Sequence, residues 1–134
     1  LGVAPERLSL LGWVPEDQGH LATYARVDVA LDTFPYSGTT TTCEALWMGV
    51  PVLTLAGATH ASRVSASLLT SVGLTDWIAD SAEAFVAMAA ACARDIGGLA
   101  AARRDLRTRV ATSPLCDGAG YAAAVEAAYR AVAS

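Results

Sequence analysis

Two rhythms of apolar positions run along this chain. Residues 27–31 (Val-Asp-Val-Ala-Leu) and 50–55 (Val-Pro-Val-Leu-Thr-Leu) are short runs rich in β-branched and apolar side chains. Such runs predict strands buried on both faces of a parallel sheet. Between them, residues 40–48 predict a helix, with Gly49 and Pro51 as its stop signals. Residues 62–72 predict a second helix with Val64, Leu68, Leu69 and Val72 on one face, and residues 76–79 a third short strand. A strand joined to the next through a helix makes a right-handed crossover, and this chain has two such units in a row.

The flanks follow different rules. Leu8-Ser-Leu-Leu-Gly12 is an apolar run that predicts a further buried strand, followed by a loop through Trp13, Pro15 and Asp17 and a short helix over residues 20–25. From Ser81 onward the chain is helical and rich in alanine. Ser81 suits an N-cap and Glu83 the positive first turn of a helix that runs to about Asp95. Gly97 and Gly98 are expected to interrupt, residues 99–111 to form the next helix, Ser113-Pro114-Leu115 to break it, and residues 119–132 to form the last. The expected fold class is α/β: a Rossmann-like parallel sheet with flanking helices, one domain over residues 1–134, helical from about 81 to 134.

Composition narrows the classes. With 134 residues, 54% of them hydrophobic and 16% charged, the chain has enough apolar material for a single core and is neither disordered nor fibrous in character. Its net charge is −4, with nine arginines and no lysine. The arginines are scattered apart from Arg103, Arg104, Arg107 and Arg109, which read as a solvated helix face, so no duplex-binding stripe exists and no nucleic-acid partner is expected. Cys43, Cys92 and Cys116 are widely spaced, with no CxxC pair, which fits reduced thiols in a cytoplasmic protein. No stretch has the length and apolarity of a membrane span, and no membrane partner is expected. The chain begins at Leu1 and not at Met, as a piece of something longer would.

The chemistry concentrates where the first predicted strand gives way to the first helix. Asp32 ends the strand, Pro35, Ser37 and Gly38 make a turn, and four consecutive threonines, Thr39 to Thr42, lead into the helix. A helix start leaves N–H groups without partners and carries partial positive charge, so it stabilises phosphate, and threonine hydroxyls add donors without adding charge. The residues alone leave a second reading open, in which Thr41 and Glu44 form a capping box and Glu44 bonds the backbone. Asp32 is expected to accept N–H bonds from the 33–38 loop, and Arg63 to pair with a carboxylate such as Asp32. No catalytic base is assigned.

Residues 31–55, taken with His60-Ala-Ser-Arg-Val64, Gly73-Leu-Thr-Asp-Trp-Ile-Ala79, Ser113-Pro-Leu115 and the closing helix with Tyr129, resemble the carboxy-terminal catalytic region of O-linked N-acetylglucosamine transferases. These include bacterial relatives that carry tetratricopeptide repeats in front of it, and the resemblance covers nearly the whole chain. It implies a two-lobed GT-B glycosyltransferase, with this chain as most of the second, UDP-sugar-binding lobe. A protein acceptor would be reached through the first lobe and the repeats, outside this chain. The resemblance places His20 against the uracil, Thr40 and Thr41 on the diphosphate with Thr39 beside them, and Glu44 on the ribose. The animal enzymes have histidine where this chain has Thr39, aspartate where it has Glu44, and a nucleotide-contacting lysine where it has Asp17. A further lysine that the family uses on the diphosphate would lie before Leu1.

The implied activity is transfer of N-acetylglucosamine from UDP to a Ser or Thr hydroxyl of a protein, with the isolated piece inactive. The donor is a substrate and not a cofactor; the lack of an Asp-x-Asp pair fits a site that uses no metal. Competing readings are a GT-B transferase of another nucleotide sugar or of asparagine acceptors, and a non-catalytic interaction domain.

Overall fold

Three parallel strands, β1 (Ala30–Leu31), β2 (Val52–Leu55) and β3 (Ile78–Ala79), lie side by side in chain order. The computed structural model describes residues 2–12, 14 and 19–133. Ala30 is in register with Val52 and Leu31 with Leu53, and across the second pair Thr54 is in register with Ile78 and Leu55 with Ala79. Val52, Leu53 and Thr54 of the central strand are buried, as the apolar run predicts. β1 is shorter than expected, and Leu31 is 55% exposed, so burial on both faces holds for the central strand and not for this edge strand.

The two crossover helices are α1 (Thr40–Trp47) and α2 (Val64–Ser71). They pack on each other and on β2. Both end in the same way. Past α1, Gly49 sits at φ 78° while its N–H bonds Leu46 O and that of Val50 bonds Ala45 O; past α2, Gly73 at φ 72° and Leu74 repeat the pattern on Thr70 and Leu69. Only glycine takes that left-handed conformation cheaply, and the paired bonds satisfy carbonyls that each helix end would leave open. Val50 and Leu74, just past the two glycines, are carried straight into the core. Leu69 on α2 and Val72 at its C-cap are buried as predicted, and Ser65 and Ala66 complete that face.

The core comprises Ala45, Leu46, Val50, Val52, Leu69, Val72, Leu74, Leu106 and Val110, with Tyr24, Val27, Ala30, Trp77 and Ile78 packed against it. Leu106 and Val110 belong to α4 (Ile96–Ala111), which lies against α1. α3 (Ala82–Arg94) covers β2 and β3 and starts as predicted, with Ser81 Oγ accepting from Ala84 N at 3.2 Å. α5 (Gly118–Ala133) follows a 3₁₀ turn at Pro114–Cys116 and has no buried residue.

Three expectations are corrected, and a fourth holds only in part. Residues 8–12 form no strand and are exposed, Leu10 at 96%. Gly97 and Gly98 do not interrupt; they fall in the first turn of α4, where the Asp95 carboxylate accepts from Gly98 N at 2.8 Å and caps the helix. The first half of the third predicted strand is a 3₁₀ turn, Thr75–Trp77. The arginine face of α4 is exposed at Arg104, Arg107 and Arg109, as expected, but half-buried Arg103 is not part of a purely solvated face: it donates to the carbonyls of Val27 and Asp28, while Arg109 donates to that of Gly73 at 2.7 Å and the Arg107 guanidinium lies 4.6 Å above the Trp47 ring.

Candidate functional site

Asp32 organises the carboxyl end of β1. Its Oδ1 accepts from Thr33 N at 3.0 Å and Gly38 N at 2.8 Å, and its Oδ2 from Thr54 Oγ1 at 2.7 Å, so the 33–38 loop is drawn back over the sheet as expected. Arg63 does not join it. Its guanidinium donates instead to Gly57 O at 3.0 Å. Beneath the loop, Thr42 Oγ1 meets Ser65 Oγ at 2.9 Å, and Ser65 Oγ donates to Gly38 O at 2.9 Å. These bonds fix where α1 begins.

Against that start lies the 3₁₀ turn His20–Arg26, entered through Gly19 at φ 77°. Between them is a cleft of about 590 Å³. Leu11, Val14 and Val27 supply apolar wall; His20, Thr23, Tyr24, Thr40, Thr41 and Glu44 supply polar groups. His20 Nε2 stands 3.1 Å from Glu44 Oε2. The Tyr24 hydroxyl stands 3.3 Å from the same oxygen and 3.3 Å from Thr41 O, so its one proton is shared between two acceptors. The His20 and Tyr24 rings meet edge to face, centroids 6.2 Å apart. Burial, then the charge and hydrogen bond of Glu44, push the Tyr24 hydroxyl above the usual tyrosine range, which keeps it a proton donor.

The cleft carries no arginine or lysine among its lining residues. Its capacity for an anion rests on the amino end of α1 and on the Thr40 and Thr41 hydroxyls, both on exposed residues. A smaller hollow of about 180 Å³ at the end of β1 shares Tyr24 and Thr41 with it and continues past Asp32 to Gly38. Elsewhere, a 450 Å³ hollow near Asp28 and Ile96 is bounded by Arg103, whose guanidinium is taken up by backbone carbonyls.

The profile of Glycosyl transferase family 41 matches residues 1–125. This chain belongs to that family. It is 46% identical over 130 residues to the probable UDP-N-acetylglucosamine–peptide N-acetylglucosaminyltransferase SPINDLY of Oryza sativa subsp. japonica, a match that takes in 97% of this chain and 14% of the rice protein. The protein of the same name from Arabidopsis thaliana is 44% identical over the same shares, and the Arabidopsis protein SEC, also described as a probable UDP-N-acetylglucosamine–peptide N-acetylglucosaminyltransferase, is 32% identical over 96% of this chain and 13% of that protein. Among solved structures, a mutant of the Thermobaculum terrenum O-GlcNAc transferase superposes with a TM-score of 0.87 at 47% identity, over 96% of this chain and 25% of that one. The α/β Rossmann-like fold is thus that of a region of a family 41 glycosyltransferase, and the chain spans about one-seventh of its curated relatives.

Of the residues singled out for a family 41 donor site, His20, Thr40, Thr41 and Glu44 all line the one cleft. Thr39 stands just outside, as the exposed residue before α1, with no side-chain cap bond. Asp17 lies outside the described residues, as do Trp13 and residues 15–18 of the preceding loop. The capping box between Thr41 and Glu44 does not form: Thr41 is already inside α1 and Glu44 bonds side chains of the opposite wall. Tyr24 was not marked by sequence reasoning. Its signal would have been the His20-to-Tyr24 spacing of four on a short helical turn, which brings two polar-tipped rings to one side.

Proposed function

We propose that this chain is the nucleotide-sugar-binding half of a family 41 glycosyltransferase that moves N-acetylglucosamine from UDP to Ser or Thr hydroxyls of proteins. The observation that carries the reading is the meeting of His20, Thr40, Thr41 and Glu44 around one cleft at the amino end of α1. In this reading the helix start and the two hydroxyls hold the diphosphate and stabilise the negative charge that develops on it as the sugar leaves. His20 lies against the base, an aromatic contact worth ~1–3 kcal/mol in stacked nucleotide sites. Glu44 accepts from the ribose: both of its protein donors converge on Oε2, which leaves Oε1 without a protein partner among the described residues. The sugar would extend toward Asp32 and Gly38, where the smaller hollow opens. The acceptor side of the cleft and the repeats belong to the rest of the full-length protein.

The reading is tested with the full-length protein that contains this chain. UDP, GDP and ADP are titrated in parallel, and UDP-N-acetylglucosamine is then supplied with a Ser/Thr-rich peptide. Selective binding of UDP and appearance of the sugar on the peptide support the proposal. Selective binding of GDP or ADP replaces it with a transferase of another nucleotide sugar. Binding of none leaves an interaction domain.

A further inference from the structure

Glu44 could bond in two places. As the fourth residue after Thr40 its carboxylate lies one turn into α1, free to rotate toward solvent or back toward the helix start. In the structure it points instead across the cleft, and two side chains from the 3₁₀ turn hold it there: His20 Nε2 at 3.1 Å and the Tyr24 hydroxyl at 3.3 Å, both on Oε2. The same hydroxyl reaches Thr41 O at 3.3 Å, in the turn that presents the Thr40 and Thr41 side chains. Tyr24 also packs against the core, so unlike the half-exposed His20 it is anchored at its ring end.

We infer that Tyr24 is a positioning residue for the donor: its hydroxyl holds the Glu44 carboxylate with Oε1 turned to a ribose hydroxyl of the nucleotide, and ties that carboxylate to the diphosphate-binding start of α1. The inference rests on the nucleotide-sugar reading above and adds a residue that this reading did not contain. A phenol suits the task better than a cation would, since it orients the carboxylate without neutralising it as an acceptor. The phenol, raised above the usual tyrosine range, stays protonated at neutral pH, so its one proton remains available to Glu44 Oε2 and the Thr41 carbonyl. Removing the hydroxyl leaves the ring and the packing in place and leaves the carboxylate to half-exposed His20 alone, so its aim at the ribose loosens while the rest of the cleft stands.

The experiment uses full-length wild type, Tyr24→Phe and Glu44→Gln, each titrated with UDP, 2′-deoxy-UDP and 3′-deoxy-UDP, with thermal unfolding as a check on the fold. Tyr24→Phe should weaken UDP roughly 5- to 15-fold, the loss of an oriented hydrogen bond to a charged group. For the deoxy nucleotide that wild type already binds less well, the same substitution should change affinity less than about 2-fold, because the contact it supports is already missing. Glu44→Gln should show the same pattern, and Tyr24→Phe/Glu44→Gln should bind UDP no more weakly than Glu44→Gln alone, a coupling read below the unfolding temperature of every variant; fully additive losses would overturn the inference. Equal weakening of UDP and both deoxy analogues would mean that Tyr24 merely supports the wall, and unchanged UDP affinity would mean that it does nothing for Glu44; either overturns the inference while leaving the donor site standing. Failure of wild type to bind any of the nucleotides overturns the donor reading itself, and the inference with it.

Discussion

Thr42 Oγ1 and Ser65 Oγ lie 2.9 Å apart, both residues buried, and through this contact the start of α1 is fastened to the first turn of α2. The four threonines therefore divide by job. Thr42 is structural, while Thr40 and Thr41 line the cleft. Thr42→Val keeps the volume and deletes the bond, and should lower unfolding free energy by about 1 kcal/mol, with more if the Ser65 oxygen is left short of a partner. Denaturant titration measures it; a variant as stable as wild type would contradict the division.

Gly38 is tied in space and not by φ. A methyl group there would stand 2.5 Å from Thr42 Oγ1, 2.9 Å from Thr41 Oγ1 and 3.2 Å from Asp32 Oδ1. Since Thr42 is buried and Asp32 is held by three donors, neither can move aside cheaply. Gly38→Ala should destabilise by ~1–3 kcal/mol, the range for overpacking, and weaken nucleotide binding through the displaced Thr41. Alanine with wild-type stability and affinity would show that the loop is slack.

Arg103 makes α4 the anchor of the strand entering the site. Its guanidinium donates to the carbonyls of Val27 and Asp28, some 75 residues earlier. Arg103→Met retains the stem and removes both bonds, and a loss of about 1.5–3 kcal/mol in stability is expected for charged hydrogen bonds of this kind. Urea unfolding decides it, and a loss below a few tenths of a kcal/mol would return Arg103 to the solvated surface.

Cys43 and Cys116 open on one small apolar hollow behind Glu44. Burial, then the neighbouring Cys116 and Glu44, push the Cys43 thiol above its ordinary value of 9.0. Its thiolate fraction at neutral pH is correspondingly small, so N-ethylmaleimide at pH 7 should label exposed Cys116 well before Cys43, as read by peptide mass mapping. The sign for stability follows from linkage. The folded state holds the Cys43 proton to higher pH than the unfolded chain, so this contribution is intact below the ordinary thiol value and is lost as pH rises through the folded one. Cys43→Ala should flatten the alkaline side of the stability profile.

The order of strands and crossover helices was legible because its signals are local. Gly49 with Pro51 marks the end of the first helix in the sequence itself, and in the structure Gly73 and Leu74 end the second with the same pair of backbone bonds. What local pattern could not carry was pairing at a distance. The run at residues 27–31 reads as one strand, yet Arg103 from α4 takes the Val27 and Asp28 carbonyls, and the ladder is left with Ala30 and Leu31. Residues 8–12 have strand composition, but a short apolar run does not name its partner, and here they lie exposed. Gly97 and Gly98 read as a break because glycine is a poor helix former; Asp95, capping from outside, overrides that preference. At the site, the Thr and Glu pattern on α1 was visible, whereas Tyr24 acquires its place only when the 3₁₀ turn folds against that helix.

In the proposed reading, the cleft between His20 and α1 binds a nucleoside diphosphate through Thr40 and Thr41. Calorimetric titration of UDP into the full-length protein, wild type beside the Thr40→Ala/Thr41→Ala double variant, tests it most directly. Both side chains are exposed, so the double variant should unfold at the wild-type temperature while its UDP affinity falls by about 1–3 kcal/mol, the range for hydrogen bonds to a charged group. UDP binding that the double substitution leaves unchanged, or no UDP binding by wild type, would contradict the account.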